Sequence, residues 1–112
     1  MKIATAIAIT LIASSVHAAA LTEDQEEVCY LEGRLAASAI ISRYTGTSAS
    51  DFLRESKEKL KDVSDELLQD VVIEAFDPGN YPNIEKEYAS DMMSIQDKFY
   101  IRCIRRMTED ES

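Results

Sequence analysis

The chain has 112 residues, with 21 acids against 12 lysines and arginines and a net charge of −9 when its single histidine is neutral. That balance disfavours nucleic acid as a partner, because a phosphate backbone calls for a basic face. The length suits one domain with one modest core.

Residues 1–20, "MKIATAIAITLIASSVHAAA", have the form of an export signal. Lys2 precedes an apolar run from Ile3 to Val16, and small residues follow. Val16-His17-Ala18 and Ala18-Ala19-Ala20 both fit the pattern a signal peptidase reads, so cleavage falls after Ala18 or Ala20. The run falls short of the about 20 apolar residues that span a bilayer, and no positive stop-transfer flank follows it. An uncleaved N-terminal anchor is the rival reading. No cysteine stands at the cleavage point to carry a lipid. Cleavage removes His17 and Lys2, leaving no histidine and moving the net charge from −9 to −10. A bundle domain is expected over residues 21–107, with no stable membrane span, in the periplasm or secreted.

The first expected helix is "TEDQEEVCYLEGRLAASAIISRYTG". Thr22 and Gln25 have capping-box spacing, and acids crowd the first turn, where the helix dipole favours them. Val28, Leu31, Leu35 and Ala39 form the predicted core stripe, with Cys29, Ala36 and Ile40 along its edge. Gly33 inside that pattern predicts a close helix–helix contact. Arg43 suits the helix end, and Gly46 is the expected stop.

A charged second helix is expected from Ser48 or Ser50 to about Asp62, anchored by Phe52, Leu53, Leu60 and Val63. "SDELLQDVVIEAF" is better patterned. Ser64 is its cap, and its broad stripe of Leu67, Leu68, Val71, Val72, Ala75 and Phe76 predicts a central position. "DPGNYPN" is a break, with Pro78-Gly79 suited to a type II turn and Pro82 excluding helix at Tyr81. The last helix runs from the cap Asn83 to about Met107, with Ile84, Tyr88, Met92, Ile95, Phe99 and Cys103 as a continuous seam. Residues 108–112, "TEDES", are expected to be a disordered acidic tail. These elements make an all-α fold, a bundle of three to four helices, three if the middle two fuse.

Cys29 and Cys103 are an even pair, and an oxidising compartment favours a disulfide between them. The staple would join the first helix to the last. Free thiols or an intermolecular bond are the alternatives. A catalytic thiol wants a base, and the mature chain has no histidine. Metal binding by two cysteines alone, without a C-x-x-C pair, would be weak, so neither a metal site nor a cofactor is expected.

Acids cluster on the first helix (Glu23, Asp24, Glu26, Glu27, Glu32) and on the last (Glu85, Glu87, Asp91, Asp97). Paired-acid catalysis needs two carboxylates held across a cleft with separated pKa values, and solvated faces are the better reading. Asp77, Asn80, Asn83 and Glu85 lack calcium-hand spacing, since two prolines interrupt them. Arg102, Arg105 and Arg106 are expected to complement the end of the last helix, where they could pair with acids of the first. Tyr30, Tyr44 and Tyr100 are expected beside the seam. No nucleophile or nucleotide motif is present, so the expectation is that the protein is not an enzyme.

Cys29, "LAASAII", Arg43, Gly46, "LLQDVVIEAF" and "FYIRC" resemble the pattern of small exported helical two-cysteine proteins of proteobacteria and their prophages. That resemblance implies export, helices and a staple. "CYLEGRLAAS" is similar to the first helix of the Tai family of periplasmic immunity proteins for type VI secretion effectors. The HdeA-type acid-stress chaperones are similar in being exported and helical with one disulfide, although their cysteines lie closer together. The expected function is an exported, non-enzymatic binding protein with a protein partner in the cell envelope, of immunity, inhibitor or phage-exclusion type. The alternative is an HdeA-like periplasmic chaperone, opened as its acids are protonated.

Overall fold

A computed structural model of the chain describes residues 20–109. The expected leader, Ala20 apart, and the last three residues of the expected tail lie outside that range. Among the described residues four helices follow one another: α1 Glu23–Tyr44, α2 Ala49–Lys59, α3 Asp65–Phe76 and α4 Ile84–Glu109. The protein is an all-α bundle closed by a disulfide between Cys29 and Cys103.

Local chemistry explains the helix ends. Thr22 Oγ1 accepts from the Gln25 N–H, and Gln25 Oε1 accepts from the Thr22 N–H, which completes the capping box. Ser48 and Ser64 cap α2 and α3 by accepting from the Asp51 and Leu67 N–H groups. At the end of α1, the Thr47 N–H reaches Ser42 O and the Gly46 N–H reaches Arg43 O, with Gly46 at φ +98°. That is a Schellman stop, and glycine adopts the required left-handed backbone without a Cβ penalty.

The middle helices stay separate. Leu60 leaves helical geometry at ψ 73°, and Ser64 needs extended backbone to cap α3, so one helix cannot run through both. α2 therefore ends at Lys59 and not near Asp62. Phe52 is its buried anchor, whereas Leu60 is exposed.

α1 and α4 form the main antiparallel pair. Cys29 lies opposite Cys103, Gly33 opposite Gln96 and Tyr100, and the Tyr44 ring stacks on Tyr88 with centroids 4.3 Å apart. Small residues permit this approach: a Cβ on Gly33 would lie 2.9 Å from the Gln96 carbonyl oxygen. The core joins Ala36, Ala39 and Ile40 of α1 to Val71 and Ala75 of α3 and to Ile95 and Phe99 of α4, with Phe52 and Tyr81 closing it. Each large apolar side chain buried there contributes about 1.5–3 kcal/mol. The central element is α1, which packs against all three other helices, and not α3 as its broad stripe suggested.

Two expectations on packing are corrected. Of the expected α1 stripe, Ala39 is fully buried and Leu35 half-buried, but Val28 and Leu31 are 41 % and 55 % exposed. The buried residues of the N-terminal half are Cys29 and Gly33, followed by Ala36, Ala37, Ala39 and Ile40. The disulfide and the glycine contact turn the side bearing Cys29 and Gly33, one step around the helix, toward α4. Asp91 is not on a solvated face. It is only 8 % exposed, and its Oδ2 has no hydrogen-bond partner.

The "DPGNYPN" turn is also corrected. The Asn80 N–H donates to Asp77 O, but Gly79 lacks the positive φ of a type II turn. The Asp77 carboxylate accepts from the Gly79 N–H at 2.8 Å, which holds the intervening peptide the other way round. Finally, α4 continues two residues beyond Met107. Thr108 Oγ1 donates back to Ile104 O at 2.9 Å, and the helix is kinked at Glu87 (φ −115°, ψ 24°).

Candidate functional site

The corrected face of α1 opens a large apolar groove. Its volume is about 930 Å³. One wall is the ridge Val28, Leu31 and Leu35, at helical i, i+3, i+7 spacing. The other wall is Leu60 and Val63 of the α2–α3 turn together with Leu67 of α3. The C-terminal half of α1 is covered by α3, but the N-terminal half has α4 on one flank and this open groove on the other. Other exposed apolar residues, such as Ile73 and Met93, do not line it. Isolated exposed apolar residues are ordinary, whereas a contiguous apolar surface framed by polar groups marks a place of interaction.

The rim is charged unevenly. Asp62, Glu66 and Asp70 line the α3 side, and no ion pair involves them among the described residues. The two cations on the rim are already engaged. Arg106 Nη2 donates to Glu32 Oε2 at 2.6 Å and approaches Cys103 Sγ at 3.4 Å. Arg34 donates to the Tyr30 hydroxyl at 2.8 Å, with its guanidinium 5.7 Å from the same ring. The uncompensated charge of the groove is therefore negative.

The opposite flank holds an acidic cleft of about 500 Å³, lined by Glu23, Glu26 and Glu27 of α1, Asp97 of α4, and Tyr30 and Tyr100. All four carboxylates are exposed to solvent. They share the cleft with no cysteine or histidine. Among the described residues, no group of three or more His, Cys, Asp or Glu is placed to hold a metal ion.

The residues of the calcium-like run have structural roles instead. Asp77 holds its turn, and Asn80 Nδ2 donates to Glu74 O at the end of α3. Arg43, expected only to complement its own helix end, donates to Ala75 O and Tyr81 O and so fastens α1 to the end of α3 and the following loop. Burial pushes the Tyr81 phenol above the ordinary tyrosine range. The Glu74 and Asp91 carboxylates add to that shift, and a hydrogen bond with Ser94 and the charge of Arg102 oppose it. Lys98 and Arg102 both approach Glu74, at 2.7 and 3.9 Å. These contacts brace the loop at the far end from the groove.

The disulfide ties the N-terminal half of α1 to the C-terminal half of α4. It joins backbones 5.2 Å apart at the Cα atoms, and both cysteines are fully buried. A bond of this kind in a small chain fits an oxidising compartment. Among the described residues, no helix is long and apolar enough to cross a membrane. No family model matches the chain, and neither does any curated protein or solved structure.

The groove was not legible as a site in the sequence, because its α1 wall reads as core stripe. Gly33 and the alanines after it carried the signal that could have shown it. Small residues mark the flank where two helices touch, which leaves the larger Val28 and Leu31 on the flank beside it.

Proposed function

We propose that this chain is an exported, non-enzymatic binding protein of the periplasm or secreted space, docking a protein partner of the cell envelope through the groove beside α1. An immunity, inhibitor or phage-exclusion role is its concrete form. The carrying observation is the exposure of Val28, Leu31 and Leu60 in one groove, walled by apolar side chains and rimmed by unpaired acids. A folded domain gains about 25 cal/mol per Å² by covering apolar surface, so leaving three large residues open in one place forgoes stability that a partner can recover. The acidic rim adds steering toward a cationic partner and discrimination against anionic ones. The staple holds α1, one wall of the groove, firmly against α4, so less ordering of that wall is lost on docking.

A photo-activated cross-linking residue placed at position 31, in cells that export the protein, tests this reading. The same residue at position 73, on exposed surface outside the groove, is the control. A discrete envelope adduct from position 31 and none from position 73 is expected. Equal adducts from both, or none from 31, would refute docking through the groove.

A further inference from the structure

The partner element that this groove takes can be specified by its shape and charge; the specification rests on the docking reading above. We infer that the groove accepts a basic amphipathic helix, with an apolar face that seats between α1 and α3 and with lysine or arginine along its edges.

Shape comes first. Val28, Leu31 and Leu35 are a ridge on a helix, and ridges of this kind pack into the side-chain rows of another helix. The facing wall, Leu60 and Val63 of the α2–α3 turn with Leu67 of α3, supplies a second apolar surface. A cylinder of side chains about 10 Å across laid between them would do for the N-terminal half of α1 what α3 does for its C-terminal half. Helix-in-groove recognition reads anchors at this same i, i+3, i+7 spacing.

Charge then selects among helices. Glu66 and Asp70 stand one helical turn apart on α3, and Asp62 lies just before its cap. Like charges at i, i+4 destabilise a helix by about 0.2–0.5 kcal/mol, and among the described residues no cation forms an ion pair with either. Arg34 and Arg106, the cations at the rim, are held by Tyr30 and Glu32. Incoming lysines or arginines would find three free carboxylates and no free guanidinium.

The same charge argues against two other occupants. A second copy would bring the same acidic rim and a net charge of −9 against itself. An anionic bilayer surface would be repelled in the same way.

The test uses the disulfide-intact protein and two synthetic helical peptides of about four turns. Both carry the same leucine face; one has lysines along its edges and the other glutamates. In an NMR titration at low salt, the lysine peptide is expected to shift the resonances of Val28, Leu31 and Leu67. It should bind at least about tenfold more tightly than the glutamate peptide, a difference of about 1.4 kcal/mol. The double variant Glu66→Gln, Asp70→Asn should lose most of that preference, and high salt should do the same to the parent.

Equal binding of the two peptides, or shifts that map away from the groove, would overturn the inference. So would protein-concentration-dependent shifts at the same residues, which would identify a second copy as the occupant, or binding to vesicles of anionic lipid through this face. If position 31 cross-links to an envelope protein while neither peptide binds, docking stands and the basic helix falls. If position 31 gives no adduct, docking itself falls, whatever the peptides do.

Discussion

Val28 and Cys29 are neighbours on α1, yet Cys29 is fully buried and Val28 is 41 % exposed. The same division runs along the N-terminal half of the helix. The flank toward α4 carries Cys29, Gly33 and Ala36, which are small or covalently tied, and it is closed. The adjoining flank carries the larger and more apolar Val28 and Leu31, which stay open, and Leu35, which is half-buried against the core. Hydrophobicity alone would have chosen the other flank. Close approach and a covalent bond determined which one was covered. The closed flank therefore serves stability and the open one is available for recognition, and mutations on the two should behave in opposite ways.

The largest effect is expected from the bond that holds the closed flank. In the chain-entropy model, closing a loop with a sequence separation of 74 stabilises by at most ~4.5 kcal/mol. The double variant Cys29→Ser, Cys103→Ser should lose much of that, a large share of the roughly 5–15 kcal/mol of an ordinary domain. Urea unfolding of the oxidised, reduced and double-variant proteins checks it. Midpoints that coincide would mean that helix packing alone maintains the closed flank.

The parts of this architecture that were readable in the sequence are those decided within a few residues. Thr22, Ser48 and Ser64 act as caps through bonds to N–H groups three positions on, so their chemistry is visible without the fold. The seam of α4 was readable too, because Ile95, Phe99 and Cys103 lie on one row and all are buried. Partial readings failed where a neighbour in space decides. Two adjacent rows of α1 both have helical spacing, and periodicity does not say which one meets α4. Leu60 and Val63 read as anchors of α2, yet the capping geometry of Ser64 ends that helix early and leaves them as a groove wall. Asp91 read as a solvated acid, and only the loop that places Tyr81 beside it shows its burial.

Gly33 gives the next effect. Adding a Cβ there places it 2.9 Å from a backbone oxygen of Gln96 and 3.2 Å from that residue's Cγ, so the α1–α4 pair must part. Overpacking of this kind costs about 1–3 kcal/mol. Gly33→Ala recovers up to about 1 kcal/mol of helix propensity and should come out only mildly destabilised. Gly33→Val has no such offset and should lose about 2–3 kcal/mol by thermal or urea unfolding. If the valine variant equals the parent in stability, the closed flank is not close-packed, and its contrast with the open flank is lost.

The smallest stability effect, and the sharpest contrast, is expected from Leu31→Lys on the open flank. Leucine and lysine have similar helix propensities, and residue 31 already has half its surface in water. A lysine there stands four residues after Glu27, the favourable order for an i, i+4 pair, which contributes about 0.2–0.5 kcal/mol. That gain offsets part of the lost apolar contact with the groove wall. Stability should therefore stay within about 0.5 kcal/mol of the parent, as for most surface changes. Docking should not survive so well, since a cation now replaces an apolar anchor and meets any basic helix as a like charge. Loss of the lysine-edged peptide by about tenfold or more, with an unchanged urea midpoint, would separate recognition from folding on two faces of one helix. A variant that unfolds would instead show that Leu31 belongs to the core despite its exposure, and one that binds as before would remove the groove from recognition.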